Sequence, residues 1–175
     1  IAELSRVYRY LLQTNEKELT TLSAELEFIQ AYYFLLQTRF GNGVKLVVDV
    51  FPSFRDFLIP PLTLQILVEN AVKHNVVSAN KPLIIRISTD ALGNLMVDNN
   101  LQKKTQSVPS GGMGLANITS KYKLLNQSEV IIRSTEDNFQ VKLPLISPQM
   151  PYDPFEAGLS LKREVPPSSQ PSIQL

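Results

Sequence analysis

The chain has 175 residues, of which 43% are hydrophobic and 19% are charged, and its formal net charge is +1. This balance indicates one compact domain with attachments, and it gives no signal for nucleic acid or a membrane surface, because such binding needs an excess of basic residues. Cysteine is absent and His74 is the single histidine, so a disulfide framework, a thiolate zinc site and a multi-histidine metal site are excluded.

Two helices are predicted at the start of the chain. Residues 1–13 carry apolar side chains at helical spacing, and a second helix is expected from Thr21, a suitable N-cap, to the glycines at 41–43. A coiled-coil-like seam along the second helix consists of Leu22, Leu26, Ile29, Tyr33, Leu36 and Phe40. We expect this hairpin to pair with a second copy in a four-helix bundle; the alternative is that the seam packs on the chain's own domain.

Strands and helices are interspersed over residues 43–145, which predicts an α+β fold. The expected architecture is a two-layer α/β sandwich, with a mixed sheet and with helices on one face. Strands are predicted at 45–50, 83–89, 94–98, 130–134 and 138–143, and helices at 60–75 and 114–125. The segment 101–112 is expected to be a loop. Residues 146–175 are rich in proline and serine, which predicts a flexible or loosely docked tail.

Three polar residues on the helix predicted at 60–75 carry a chemical signal. Asn70, Lys73 and His74 stand at positions i, i+3 and i+4, so they share a face of the helix. A carboxamide beside apolar residues is costly unless it is satisfied, and Mg²⁺ with bound phosphates would satisfy it while Lys73 neutralises phosphate charge. The helix alone favours a plainer interpretation, in which Glu69 and Lys73 form a surface pair and His74 is a half-buried structural residue.

Two later segments favour a nucleotide site. Asp98 ends a strand ahead of turn-forming residues, and its carboxylate can accept a hydrogen bond from an exocyclic amine such as that of adenine. The glycine-rich segment 110–115 leads into a helix, where backbone N–H groups and the helix dipole favour phosphate. It is not a P-loop pattern and no strand feeds directly into it, which argues against a P-loop or Rossmann site.

In this order, the three elements resemble the GHKL family of ATP-binding proteins, which includes gyrase and sensor histidine kinases. Over residues 1–145 the chain resembles LytS-type sensor histidine kinases, through Leu22-x-x-Glu25-Leu26, Thr38-Arg39-Phe40 and the segment from Pro60-Pro61 to His74. The resemblance implies an ATP-binding catalytic domain that uses ATP and Mg²⁺. It implies transfer of the γ-phosphate to a histidine and then to a response regulator, in a homodimer held by the N-terminal helices.

The nucleotide-binding set that the resemblance implies is Asn70, Lys73, His74, Asp98, Asn100, Gly112, Gly114, Leu115 and Lys121. In that set Asn70 would coordinate Mg²⁺, and Lys73 and His74 would face the phosphates. Asp98 would read adenine, while Gly112 and Gly114 would let a lid close over ATP. Lys121 stands where these kinases often carry a basic residue, although a solvated lysine would explain it equally well.

The chain departs from the family pattern in two places. The first glycine box usually reads Asp-x-Gly-x-Gly, whereas residues 98–102 contain no glycine. Asn100 tolerates positive φ better than most residues, so the turn is expected to survive with a stiffer hinge and a lower nucleotide affinity. Hydrolytic relatives carry a glutamate four residues before the asparagine; here that residue is Ile66, and Glu69 is expected on another face. Phosphoryl transfer is therefore expected in preference to hydrolysis.

In LytS-type kinases the acceptor histidine lies upstream of the position matching Leu11-Leu12. We therefore expect this chain to bind ATP without autophosphorylating, as a cytoplasmic part of a protein anchored in the inner membrane through upstream segments. Residues 1–42 would be the end of the dimerisation hairpin, 43–145 the catalytic domain and 146–175 the tail. The alternative function is a degenerate domain that acts as a dimeric scaffold. A serine kinase of the anti-sigma type is disfavoured by the helical hairpin.

Overall fold

The computed structural model describes residues 2–14, 18–102, 104 and 113–148. The helices in these ranges are α1 (Ala2–Thr14), α2 (Leu22–Phe40), α3 (Thr63–His74) and α4 (Met113–Leu124). The strands are β1 (Thr20–Thr21), β2 (Val44–Asp49), β3 (Leu58–Ile59), β4 (Leu83–Thr89), β5 (Asn94–Asn100), β6 (Ile131–Ser134) and β7 (Asn138–Pro144). Most of the predicted loop 101–112, and the tail from residue 149, lie outside the described residues. No described helix is long and apolar enough to cross a membrane.

Five strands form a mixed sheet in the order β2-β4-β5-β7-β6. β2 runs parallel to β4, and the other neighbours are antiparallel. The side chains of β4 alternate, so that Leu83, Ile85 and Ile87 are buried on one face while their neighbours are more exposed. The buried face packs against apolar residues of α3 and α4 in one core cluster, which includes Leu67 and Tyr122. The α+β class and the two-layer arrangement are therefore confirmed.

A second, two-stranded sheet pairs β1 with β3 and was not predicted. Each of these strands is two residues long, which is too short for a period-2 pattern to be recognised. At the end of β1, the Thr21 side chain accepts a hydrogen bond from Ala24 N at 3.2 Å, so the predicted N-cap of α2 is confirmed.

The apolar seam of α2 packs on the chain's own domain. Leu22, Leu26, Ile29 and Leu36 are buried in the same cluster as the sheet, and Tyr33 and Phe40 pack against that cluster. The expectation that this seam meets a partner hairpin is therefore wrong, and the alternative is right. Heptad-like spacing predicts that one face of a helix is buried, but it does not indicate which surface packs against that face. Among the described residues of the hairpin, the large apolar side chains left exposed are those of Leu4, Tyr8, Leu12 and Phe34.

Helix α3 begins later than predicted. Pro60 and Pro61 precede the helix, which starts at Thr63, and Leu62 adopts a left-handed conformation with φ of 65° at the N-cap position. The fold also extends past the predicted boundary at residue 145, because Ile146 is buried and pairs with Leu58 in a β-bridge. The first described residues of the predicted tail therefore belong to the domain.

Candidate functional site

A cavity of about 470 Å³ lies between α3, the first turn of α4 and the ends of β5 and β7. Its volume falls in the range of small-molecule sites in proteins. Its lining consists of Ile66, Glu69, Asn70, Ala71, Lys73, His74, Asn75, Asn99, Leu101, Met113, Gly114, Leu115 and Phe139. The predicted set thus contributes Asn70, Lys73, His74, Gly114 and Leu115.

One face of α3 supplies the polar groups of the cavity. Asn70, Lys73 and His74 all line it, which agrees with their predicted spacing. Among the described residues, the Asn70 carboxamide makes no hydrogen bond, so it remains available to a ligand. Glu69 also lines the cavity, although it was expected on a different face from Asn70. It lies four residues before Lys73 and three after Ile66, and these spacings bring all three to the same side.

Gly114 brings the start of α4 close to α3. A methyl group in place of its hydrogen would lie 2.8 Å from Ile66 Cγ2 and 3.6 Å from Asn70 Nδ2. The first three residues of α4 line the cavity, so the N-terminal end of this helix adjoins it. Free N–H groups and the helix dipole make such an end favourable for an anion. Gly112 lies outside the described residues.

Strand β5 presents Asn99, and not Asp98, to the cavity. Asn99 is 4% exposed and follows Leu95 and Val97 on the inner face of the sheet. Its Nδ2 donates to the carbonyl of Asn100 at 2.8 Å, and Oδ1 accepts no hydrogen bond from the described residues. Asp98 points to the opposite face because side chains alternate along a strand. The cavity is therefore lined by Asn99, while Asp98, the predicted adenine-reading residue, lies outside its lining.

Asp98 lies in an environment unrelated to the cavity. It is paired in register with Arg86 of β4 on the outer face of the sheet. Burial raises the pKa of Asp98, while the nearby charge of Arg86 lowers it, and the net direction is upward. This carboxylate therefore belongs to a cross-strand pair on the face that is remote from α3.

Two more predicted residues also lie away from the cavity. Asn100 lies in β5, and its side chain accepts from Ile84 N at 2.7 Å and donates to the Pro82 carbonyl at 3.1 Å. Asn100 does not adopt a positive φ and continues the strand, so the turn expected at this residue does not form there. Lys121 is exposed and does not line the cavity; its charge acts instead on the buried carboxyl of Glu25.

Asn75 was not predicted as a site residue, and it supports one side of the cavity. Its Nδ2 donates to the Ala71 carbonyl at 2.8 Å, and its Oδ1 accepts from Gln102 N at 2.6 Å. Val76 N also donates to the Gln102 carbonyl at 2.8 Å. The chain after β5 is therefore held to the end of α3. A buried asparagine directly after a helix is the sequence signal for such a link, because its side chain can satisfy free backbone groups.

The donor set of the cavity fits a metal ion that arrives with its own ligands. Among the described residues, no group of three His, Cys, Asp or Glu side chains could hold a metal ion. Asn70 offers one neutral oxygen, and Glu69 stands beside it. Mg²⁺ prefers oxygen ligands and keeps several waters and phosphates, so one or two protein oxygens suffice. Asn70 is the residue that would hold Mg²⁺ here.

Residues 1–44 match the family model described as Histidine kinase. The sensor histidine kinase/phosphatase LytS of Staphylococcus aureus is 40% identical over 74 residues, which are 42% of this chain. The match spans 13% of the length of LytS. Among solved structures, the histidine kinase AdeS of Acinetobacter baumannii is 11% identical, with a TM-score of 0.47, over 83% of this chain and 77% of AdeS. Full-length ShkA in complex with AMPPNP is 15% identical, with a TM-score of 0.48, over 83% of this chain and 35% of ShkA.

The family match and the identity to LytS confirm the resemblance to LytS-type sensor histidine kinases. The matched family segment covers α1 and α2, whereas the cavity is built from α3, α4 and the sheet.

Proposed function

We propose that this chain is the ATP-binding catalytic part of a two-component sensor histidine kinase. The observation that carries the proposal is the convergence on one cavity of Asn70, Lys73 and His74 from α3, Asn99 from β5, and the start of α4 at Gly114. Separately, a carboxamide, a cation and a helix N-terminus are common. Together around one cavity they fit a nucleotide that carries phosphates and Mg²⁺.

The proposed pose places the base against the sheet and the phosphates against α3 and α4. Asn99 Oδ1 would accept a hydrogen bond from the exocyclic amine of adenine, because Nδ2 is already engaged with the chain. Phe139, its partner in register on β7, lines the cavity next to it and offers an apolar surface to the base. Lys73 and His74 would contact phosphate oxygens, and Asn70 would hold Mg²⁺, which neutralises phosphate charge.

The proposed reaction is transfer of the γ-phosphate to a histidine on another segment, and from there to a response regulator. The bond between the γ-phosphorus and the oxygen that bridges to the β-phosphate breaks, a bond from the γ-phosphorus to the acceptor nitrogen forms, and ADP leaves. Such transfer depends mainly on positioning and on charge neutralisation. His74 is the single histidine of the chain and lines the cavity, so we assign it to nucleotide binding and place the acceptor outside these 175 residues.

The proposal keeps the division into hairpin, catalytic domain and tail, with α2 sharing the core of the catalytic domain. It includes a homodimer through the N-terminal helices. The dimer surface would now be the outer face of α1, where Leu4, Tyr8 and Leu12 are exposed at intervals of four residues. It also includes a cytoplasmic location, with membrane anchoring through other segments of a longer protein.

The scaffold alternative is favoured by one observation, the absence of glycine from residues 98–102. Titration of the chain with Mg·ATP separates the two functions. The kinase proposal predicts saturable, Mg²⁺-dependent binding. The affinity should be about tenfold or more weaker in Asn70→Ala, because an interaction between a polar side chain and a charged group contributes about a factor of ten or more to an affinity. Asn117→Ala, an exposed asparagine on α4 outside the cavity, is the matched control and should bind normally. No binding at millimolar ATP would contradict the kinase proposal.

The assignment of transfer over hydrolysis needs its own test, because Glu69 lines the cavity and could orient a water. We expect slow release of phosphate from ATP in the absence of an acceptor. Glu69→Gln should not lower this rate of release further. Rapid hydrolysis that disappears in Glu69→Gln would instead assign a water-activating role to this carboxylate.

A further inference from the structure

A buried carboxylate joins three helices near the start of α3. Glu25, in the first turn of α2, has no exposed surface. Its Oε1 accepts from Leu62 N at 2.7 Å and its Oε2 accepts from Leu64 N at 2.9 Å. The hydroxyl of Tyr10, on α1, also donates to Oε1. One side chain of α2 therefore binds the N-terminus of α3 and a side chain of α1.

The start of α3 depends on this carboxylate for its cap. The N-cap residue, Leu62, makes no side-chain hydrogen bond to the helix, although the first N–H groups of a helix need acceptors. Glu25 supplies them, and its negative charge faces the positive end of the helix. Burial raises the pKa of Glu25, while hydrogen bonds from Tyr10, Leu64 and Leu62 and the charge of Lys121 lower it. The net direction is upward, so these contacts offset only part of the cost of burying the charge.

The contact also extends into the helical hairpin. The Leu62 side chain packs against the cluster of Val7 and Phe28, which lies between α1 and α2. The Tyr10 ring stacks on Phe28 with centroids 4.5 Å apart. Burial raises the pKa of Tyr10, so its hydroxyl stays protonated and able to donate. A movement of α1 along α2 would therefore alter the position of Tyr10 against Glu25.

We propose that Glu25 is a positioning residue for the phosphate end of the nucleotide site, and that Tyr10 makes this positioning depend on α1. The inference rests on the proposed function. Asn70, Lys73 and His74 follow Leu64 by six to ten residues on the same helix, so the rise of a helix puts them about 9–15 Å from the cap. A straight helix transmits a shift of its first turn to that distance. Asn99 is held by the sheet, outside the helix that Glu25 caps.

Because α3 carries the residues proposed for the phosphates and the sheet carries the residue proposed for the base, a change at the cap should affect Mg·ATP binding more than adenosine binding. Glu25→Gln keeps the shape but loses the charge and one of the two carboxylate acceptors, and Tyr10→Phe removes only the hydroxyl. We expect Glu25→Gln to weaken Mg·ATP binding about tenfold, the size of one lost hydrogen bond to a charged group, and adenosine binding less than about twofold. Tyr10→Phe should shift both affinities in the same pattern, by a smaller factor.

Ile87→Val is the control for general destabilisation, because Ile87 is fully buried on β4 and lies outside the cavity lining. It should change neither affinity. Equal weakening of Mg·ATP and adenosine in Glu25→Gln, or no change in either, would overturn the positioning role. Should Glu25→Gln fail to fold, the same comparison in Tyr10→Phe decides.

Amide hydrogen exchange of the nucleotide-free chain tests the inference separately from nucleotide binding. The Leu64 amide and the following turns of α3 should exchange faster in Glu25→Gln than in the unmodified chain, while β5 exchanges at the same rate. Unaltered exchange in α3 would overturn the inference. If the unmodified chain bound neither Mg·ATP nor adenosine, the proposed function would fail, and exchange would still decide whether Glu25 holds α3.

Discussion

Replacing Gly114 with alanine tests the close contact between α3 and α4 that forms one wall of the cavity. The added methyl group would lie 2.8 Å from Ile66 Cγ2, whereas carbon atoms pack best at about 3.5–4.0 Å. Ile66 cannot easily turn away, because a β-branched side chain in a helix has one strongly preferred χ1 rotamer. The substitution must therefore shift a helix or strain a rotamer.

Two opposing effects set the size of the change. Overpacking of this kind costs about 1–3 kcal/mol, and alanine in place of glycine inside a helix stabilises by up to about 1 kcal/mol. We expect the free energy of unfolding to fall by about 0.5–2 kcal/mol, which a domain with a stability of about 5–15 kcal/mol tolerates. Mg·ATP affinity should fall as well, because the start of α4 moves away from Asn70.

Urea unfolding followed by far-UV circular dichroism measures the change, with a shifted midpoint and an unchanged m-value. The same substitution in an Ile66→Ala background is the matched control, because Cγ2 is then absent. There, Gly114→Ala should be neutral or stabilising, and the difference between the two backgrounds measures the contact. An equal gain in stability in both backgrounds would refute the steric argument.

Three further predictions follow from the site and the fold. Asn99→Ala should weaken Mg·ATP binding about tenfold in a nucleotide titration, whereas Asp98→Ala should leave it unchanged; the opposite pattern would restore Asp98 as the base-reading residue. Desolvation raises the pKa of Asp90, but hydrogen bonds lower it by a larger amount, so that the net pKa lies below the ordinary 3.8. The stability that Asp90 contributes is therefore present above about pH 3.8 and lost as pH falls through its depressed pKa, so Asp90→Asn should flatten acid unfolding curves below that pH. Thr21→Ala should cost about 1 kcal/mol in urea unfolding through loss of the N-cap, while Thr38→Ala, on the exposed side of α2, should be nearly neutral.

The secondary structure could be predicted because each long element carries a strong periodic pattern. α2 has a helical repeat from Leu22 to Phe40, and β4 alternates from Leu83 to Thr89. The two-residue strands β1 and β3 carry no such pattern. The start of α3 was predicted from Pro60 and Pro61, but the true start follows a left-handed Leu62 and is capped by a residue far away in sequence.

The candidate site could be predicted on α3 but only partly on β5. Helical spacing is enough to place Asn70 and Lys73 on one face. On β5, Leu95 and Val97 lie on the inner face of the sheet, and Asn99 follows at the same spacing of two residues. Met96, on the other face, is also apolar, so the sequence alone does not show which face is buried. The role of Glu25 depends on contacts between three helices, and no local pattern encodes these.

An NMR titration of the chain with Mg·AMPPNP, followed through backbone and side-chain amides, tests the central claim most directly. We expect saturable shifts that are largest at the side-chain amides of Asn70 and Asn99 and at the backbone amide of Gly114, the three points where α3, β5 and α4 meet the cavity. Absence of shifts at millimolar nucleotide, or shifts confined to Asp98 and Arg86 on the outer face of the sheet, would contradict it.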